Sequence, residues 1–121
     1  MKLLVIGANG QLGRSLAALA PNEGWEVVGT YHHNQGTASS LHLDKTAASE
    51  VRDVIDEVRP SAVVDTGALH NVDYCETHPD EAFAVNREGT RNVARAARRV
   101  NARFTFISTD YVFDGTGERP Y

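Results

Sequence analysis

The sequence predicts an α/β protein in which a doubly wound parallel sheet lies between two layers of helices. Short apolar runs alternate with longer segments of helical periodicity, an order typical of parallel strands joined by right-handed crossovers. The runs are short and largely apolar, as expected of strands that are covered on both faces. The first run leads into a glycine-rich turn and then a helical segment, as in the first unit of such sheets. We therefore expect one domain over residues 1–121, with strand order 3-2-1-4-5 and an architecture truncated after strand 5.

The first predicted elements are defined by apolar runs and by the residues that interrupt them. Strand 1 is Lys2–Ile6, and the first helix covers about Gln11–Ala20 because Pro21 ends it. Strand 2 is Trp25–Tyr31, which contains two adjacent β-branched valines. Residues His32–Ser40 are polar, contain a glycine and are predicted to form a loop.

The middle of the chain supplies two further strands and one helix. Strand 3 is the short apolar segment Leu41–Leu43, and strand 4 is Ala62–Thr66. The second helix covers about Thr46–Arg59 and ends before Pro60. Its apolar side chains recur with helical spacing on one face, at Val51, Val54, Ile55 and Val58.

The third predicted helix, Pro79–Val100, is the longest. Pro79 suits a first helical turn, because the missing N–H is not needed there. Strand 5 is Arg103–Ile107, and Ser108–Tyr121 is a predicted loop. Residues spaced three and four apart define the inward face of this helix, namely Phe83, Asn86, Thr90, Val93, Ala97 and Val100.

Composition and charge exclude several classes of protein. The net charge is −4 and no basic run is present, so a nucleic-acid partner is not expected. No apolar stretch reaches the ~20 residues of a membrane span, and no signal segment precedes strand 1, so we expect a cytoplasmic protein that does not enter a membrane. Cys75 is the single cysteine, which excludes an intramolecular disulfide. The five histidines lack metal-ligand spacing, so no metal site is expected.

Three glycines after strand 1 carry the strongest functional signal. The segment VIGANGQLG places Gly7, Gly10 and Gly13 between strand 1 and the first helix. Glycine permits a sharp turn and a close approach of the backbone to a ligand, and the helix N-terminus favours a pyrophosphate. In this setting the pattern is typical of a Rossmann-type dinucleotide site, with an ordinary glycine-rich turn as the alternative.

The end of strand 2 bears on the choice of coenzyme. An acid often binds the adenosine ribose at this position, but this strand ends Thr30-Tyr31-His32-His33. Since no carboxylate is present to repel a 2′-phosphate, NADP is favoured and NAD stays possible. His32, His33 or Arg14 would supply positive charge, and a solvated loop is the alternative for each histidine.

Five other positions are candidates for the cofactor site or its support. Asp44 is expected to bond the adenine amino group, to cap the second helix, or both. Gly67 and Ala68, after strand 4, would let a cofactor lie close to the backbone, although a simple tight turn also accounts for them. Asn86 interrupts an apolar stripe and needs partners, which the backbone near strand 4 would supply. Gly89 within a helix indicates a close contact with a neighbouring strand or helix.

The segment ISTDYVFDG, residues 107–115, closes strand 5 where a substrate would meet the nicotinamide, with a turn or N-cap cluster as the alternative. Together with GANGQLG and AVNREGTRNVARAA, it resembles the extended short-chain dehydrogenase/reductase family over essentially the whole chain. The closest resemblance is to the sugar-nucleotide reductases of dTDP-L-rhamnose synthesis. Those enzymes reduce the 4-keto group of a dTDP-sugar with NADPH or NADH.

The resemblance implies roles for individual residues. The family's catalytic hydroxyl falls on Thr109. Its substrate contacts fall on Asp110, Val72, Asp73 and Tyr111. Its cofactor contacts fall on Gly7, Asn9, Gly10, Gln11, Leu12, Asp44, Gly67, Ala68 and Asn86, to which the end of strand 2 adds Tyr31 and His32.

One part of the family pattern is absent from these residues. The family's proton donor is a tyrosine followed four residues later by a lysine, but Tyr111 is followed at that spacing by Gly115. We therefore expect residues 1–121 to be inactive alone, either as part of a longer reductase or as a shortened product. The alternative function is a non-catalytic NADP-binding subunit that resembles the regulatory subunit of methionine adenosyltransferase. An uncovered sheet edge at strand 5 also predicts a homo-oligomer.

Overall fold

The computed structural model describes residues 1–33 and 40–117, which form a parallel sheet flanked by helices. The strands are β1 (Lys2–Ile6), β2 (Glu26–Tyr31), β3 (Leu41–His42), β4 (Ala62–Asp65) and β5 (Arg103–Phe106). The helices are α1 (Gln11–Leu19), α2 (Ala48–Val58), α3 (Val72–Thr77), α4 (Pro79–Phe83) and α5 (Thr90–Arg99). A π-helical segment, Ala84–Gly89, joins α4 to α5, and short 3-10 helices cover Ala20–Glu23 and Asp110–Val112.

The strand order is β3-β2-β1-β4-β5 and every pairing is parallel, which confirms the predicted fold and topology. Successive side chains of β1 point to opposite faces of the sheet. Leu4 and Ile6 therefore pack with the buried stripes of α2 and α5, whereas Leu3 and Val5 pack on the other face. This two-sided burial fixes β1 at the centre, so the turn that follows it has a rigid base.

Most predicted boundaries differ from the observed ones by one or two residues. The first helix ends at Leu19, with Pro21 in the following 3-10 helix, and α2 begins at Ala48 rather than at Thr46. Residues 108–121 were predicted as loop, but they contain the 3-10 helix at Asp110–Val112. Two parts of the predicted loops lie outside the described residues. They are residues 34–39 of the loop His32–Ser40 and residues 118–121 of the last loop.

Two predictions for the second half of the chain are wrong. The stretch after β4 was given no element, yet it contains α3, which Asn71 caps by accepting a hydrogen bond from the Tyr74 N–H at 3.0 Å. Phe83 was placed on the inward face but is 59% exposed. The π-helical segment after Phe83 breaks the α-helical spacing, so positions before it no longer share a face with Val93 and Ala97. In the described part of the chain, no helix has the length and apolar character needed to cross a membrane.

Candidate functional site

The turn after β1 requires glycine for steric reasons. Gly7 has φ 75°, and a Cβ on it would lie 3.0 Å from the backbone of Gly67. A Cβ on Gly13, in the first turn of α1, would lie 2.2 Å from the Gly7 carbonyl oxygen. The Gly10 N–H donates to that same oxygen at 3.0 Å and closes the turn. As a result α1 packs directly against the end of β1.

The N-terminus of α1 lies at the carboxyl end of the sheet and suits an anion. Gly10 is the N-cap residue, and no side chain caps the helix through a hydrogen bond. The first turn, residues 11–14, carries no acidic side chain. No acidic side chain of this turn therefore offsets the positive end of the helix dipole, an arrangement that suits a phosphate.

A cleft of about 280 Å³ opens at the carboxyl ends of β1, β2 and β4. In doubly wound sheets this point, where the strand order reverses, is where ligands bind. Six predicted cofactor residues line the cleft, namely Gly7, Tyr31, His32, Asp44, Gly67 and Ala68, together with the candidate His33. Sequence reasoning did not assign the other lining residues, which are Ile6, Thr30, Leu43, Lys45, Thr46, Leu69, Glu81 and Val85.

One wall of the cleft is formed by residues 67–69, here called the wall segment. The Asp65 carboxylate accepts a hydrogen bond from the Gly67 N–H at 3.1 Å, and Lys45 Nζ donates to the Gly67 carbonyl at 2.5 Å. Asn86 Oδ1 accepts from the Leu69 N–H, and Asn86 Nδ2 donates to the Leu69 carbonyl, both at 2.8 Å. The prediction that Asn86 ties its helix to the backbone near strand 4 is thus confirmed.

A buried ion pair lies behind the wall segment. Lys45 Nζ is 2.9 Å from Asp65 Oδ2, and both side chains are buried. The stem of Lys45 crosses the π-helical segment at Gly89, where a Cβ would lie 2.7 Å from Lys45 Cγ. The close contact predicted for Gly89 exists, but its neighbour is the side chain of Lys45, which lies in a turn rather than in a strand or helix.

Histidines and one carboxylate meet at the β2 side of the cleft. The His32 and His33 ring centroids are 3.9 Å apart, and His32 Nε2 lies 3.9 Å from Asp44 Oδ2. Asp44 Oδ1 accepts hydrogen bonds from the Thr46 hydroxyl at 2.7 Å and the Thr46 N–H at 2.8 Å. The hydroxyl bond is the main cause that lowers the pKa of Asp44. Because α2 begins at Ala48, Asp44 stabilises the preceding turn and does not cap the helix.

The predicted substrate residues lie outside the cleft lining. The Thr109 hydroxyl donates to Asp110 Oδ1 at 3.1 Å and accepts from the Tyr111 N–H at 3.4 Å, so it caps the 3-10 helix as the alternative reading stated. Val72 and Asp73 are exposed in the first turn of α3. Thr109, Asp110 and Tyr111 follow β5, whereas Val72 and Asp73 follow β4. Both groups therefore lie at the same end of the sheet as the cleft.

The strand order, the glycine turn and the cleft at the strand ends define a Rossmann-type α/β domain. All 121 residues match the RmlD substrate binding domain family, and the chain belongs to that family.

The chain is also similar to several larger proteins. It is 44% identical over 118 residues to a dTDP-4-dehydrorhamnose reductase of Streptomyces griseus, a match that covers 98% of this chain and 36% of the relative. The crystal structure of a dTDP-4-dehydrorhamnose reductase from Clostridium acetobutylicum superposes with a TM-score of 0.85 at 36% identity, covering 100% of this chain and 40% of that one. A dTDP-4-dehydrorhamnose reductase from Bacillus anthracis in complex with NADP gives a TM-score of 0.81 at 35% identity, with coverage of 94% and 38%. The chain therefore spans about two-fifths of the length of these relatives.

Proposed function

We propose that residues 1–121 form the coenzyme-binding part of an NADPH-dependent reductase that acts on the 4-keto group of a dTDP-sugar in dTDP-L-rhamnose synthesis. The proposal rests on one observation, which is that the glycine turn at Gly7 and the wall segment line the same cleft at the carboxyl ends of the strands. Membership of the RmlD family and the NADP complex of the Bacillus anthracis relative support it.

The residues around the cleft fit a dinucleotide. The absence of side chains at Gly7 and Gly67 lets the coenzyme lie against the backbone. His32 and His33 offer ring N–H donors to the adenosine 2′-phosphate, with Tyr31 beside them, and Asp44 Oδ2 can accept from the adenine amino group. Residues at and before the start of α1 contribute the contacts to the pyrophosphate: Asn9, Gly10, Gln11 and Leu12. NAD is expected to bind more weakly, because it lacks the phosphate.

The reduction needs a hydride at the carbonyl carbon and a proton at its oxygen, and NADPH supplies the hydride when bound. The Thr109 hydroxyl, which now donates to Asp110, would donate to the carbonyl oxygen of the substrate instead. Val72, Asp73 and Tyr111 would contact the nucleotide sugar. No lysine follows a tyrosine at the family spacing in residues 1–121, so we expect this chain to bind coenzyme without completing the reaction alone.

Titration calorimetry with NADPH and NADH tests the proposal. We expect the chain to bind both coenzymes and to bind NADPH more tightly. Circular dichroism serves as the check that the chain is folded. If the folded chain binds neither coenzyme, the proposal is contradicted.

A second titration separates the reductase from the regulatory alternative. A 4-keto dTDP-sugar is added to the chain saturated with NADPH. A reductase site predicts binding that Thr109→Val weakens and Thr116→Val leaves unchanged. Thr116 is the matched control because its hydroxyl donates to the nearby Asp114 carboxylate at 2.8 Å. Coenzyme binding with no response to the sugar nucleotide would support the non-catalytic alternative.

A further inference from the structure

The Lys45–Asp65 pair is an unusual feature of the interior. Lys45 is 7% exposed and Asp65 is fully buried, and their charged atoms are 2.9 Å apart. A buried ion pair often stabilises a fold no more than a well-packed apolar pair of the same size. Stability therefore gives a weak reason for placing two charges here, and the contacts that the pair makes give a stronger one.

Both members of the pair also bond to the backbone of the same residue of the cleft wall, Gly67. Asp65 Oδ1 accepts from the Gly67 N–H, while Lys45 Nζ donates to the Gly67 carbonyl. Thr90 completes the network, since its Oγ1 lies 3.3 Å from Lys45 Nζ and 3.3 Å from Asp65 Oδ2. The backbone position of Gly67 is thereby fixed from both sides by charged groups.

The Lys45 side chain reaches Gly67 along a path that a glycine keeps open. Its stem passes over Gly89, the last residue of the π-helical segment, where the absence of a Cβ leaves room for it. Gly67 in turn lies opposite Gly7, where an added Cβ would lie 3.0 Å from the Gly67 backbone. Because Gly7 and Gly67 both line the cleft, a displacement of Gly67 would change the shape of the site in which the coenzyme is proposed to bind.

We propose that Lys45 is a positioning residue for the coenzyme, which acts by holding the Gly67 carbonyl so that the wall segment stays at its distance from the glycine turn. The inference rests on the proposed function, because it assumes that a dinucleotide occupies the cleft. Asp65 neutralises the ammonium and aligns it, and Thr90 completes its hydrogen bonds. Loss of the ammonium weakens coenzyme binding even where the chain stays folded.

The test compares NADPH affinity and thermal stability across four proteins. Lys45→Met alone leaves the Asp65 charge buried and unpaired, so the informative variant is Lys45→Met with Asp65→Asn. This double variant restores neutrality and keeps an acceptor for the Gly67 N–H, but it lacks the donor to the Gly67 carbonyl. Lys2→Met is the matched control, because Lys2 is the other lysine of the chain and pairs with Glu26 at the far end of the sheet. Thr90→Val removes one partner of the ammonium without altering the charge.

We expect the double variant to melt near the unsubstituted chain and to bind NADPH about tenfold more weakly, with Lys2→Met unchanged. Thr90→Val should weaken binding by about threefold, and it decides the question if the double variant does not fold. Equal affinity in every folded variant would overturn the inference while leaving the proposed function intact. No NADPH binding by the unsubstituted chain would instead remove the proposed function and the inference together.

Discussion

The side-chain amide of Asn86 bonds both backbone polar groups of Leu69, accepting from its N–H and donating to its carbonyl at 2.8 Å each. Asn86 lies in the π-helical segment, and Leu69 lies in the wall of the cleft. The pair therefore joins the π-helical segment to the cleft wall through a single side chain. Since the two backbone groups lie outside any strand or helix, the amide replaces the partners that a regular element would supply.

Asn86→Leu should destabilise the fold, because it leaves both Leu69 groups without these partners. We expect a loss of about 1–3 kcal/mol in the free energy of unfolding, measured by urea denaturation. Asn86→Asp retains the acceptor for the N–H but not the donor, so its loss should be smaller. A leucine variant as stable as the unsubstituted chain would contradict this account of the bond pair.

Gly7 and Gly24 offer a matched pair of substitutions. Both have positive φ, at 75° and 79°, so alanine adds similar backbone strain at each position, roughly 1 kcal/mol. A Cβ at Gly24 meets no atom within 4 Å, whereas one at Gly7 meets the Gly67 backbone. We expect Gly7→Ala to lower the melting temperature further than Gly24→Ala and to weaken NADPH binding, which Gly24→Ala should leave unchanged. Equal effects of the two substitutions on binding would argue against a coenzyme beside Gly7.

The hydrogen bond from Thr46 to Asp44 should give a pH-dependent stability. The Thr46 hydroxyl is the main cause that lowers the pKa of Asp44 below 3.8, so the ionised carboxylate favours the folded state. This contribution is present above pH 3.8 and is lost as the pH falls through the lower, folded-state pKa. Thr46→Val should therefore be less stable than the unsubstituted chain at neutral pH. Denaturation at a series of pH values should show the difference shrinking in acid, whereas a constant difference would contradict the assignment.

The histidines at the end of β2 should distinguish the two coenzymes. Replacing His32 and His33 together with glutamine removes the imidazole N–H donors that the 2′-phosphate is proposed to meet. Calorimetry should show an affinity for NADPH reduced by about fivefold to tenfold, with little change for NADH. His78→Gln, between α3 and α4, is the control for loss of a histidine elsewhere. An equal loss for both coenzymes would assign the pair to the shared part of the dinucleotide.

Strand β5 should promote self-association of the 121-residue chain. Within the described residues it pairs with β4 on one side, and Phe106 and Ile107 are exposed at its end. Edges of this kind favour pairing with a second copy. Analytical ultracentrifugation at tens of micromolar should show a dimer or larger species that Phe106→Lys reduces. A clean monomer in the unsubstituted chain would show that the edge is not used.

Local signals account for the parts of the fold that the sequence predicted well. The apolar run of β1 and the glycines after it act over neighbouring residues, so their consequences appear in a short segment. Asn86 was informative for a similar reason, since a polar side chain within an apolar stripe must find partners nearby.

The remaining features depend on contacts between distant segments. Lys45 and Asp65 are 20 residues apart, and nothing around either residue indicates the other. The exposure of Phe83 follows from a π-helical segment that ordinary helical spacing does not predict. The short helix α3 lacks an apolar stripe, and its main signal was the capping residue Asn71.

NADPH is proposed to bind in the cleft that the glycine turn and the wall segment line. The most direct measurement is a comparison of amide NMR spectra of the isotope-labelled chain with and without NADPH. We expect the amide signals of Gly7, Gly10, Gly67 and Leu69 to shift, with the amide of Glu26 at the opposite end of the sheet unchanged. If NADPH shifts other amide signals and leaves these four in place, it does not bind in this cleft. A folded chain whose spectrum does not change on addition of NADPH would likewise contradict binding in the cleft.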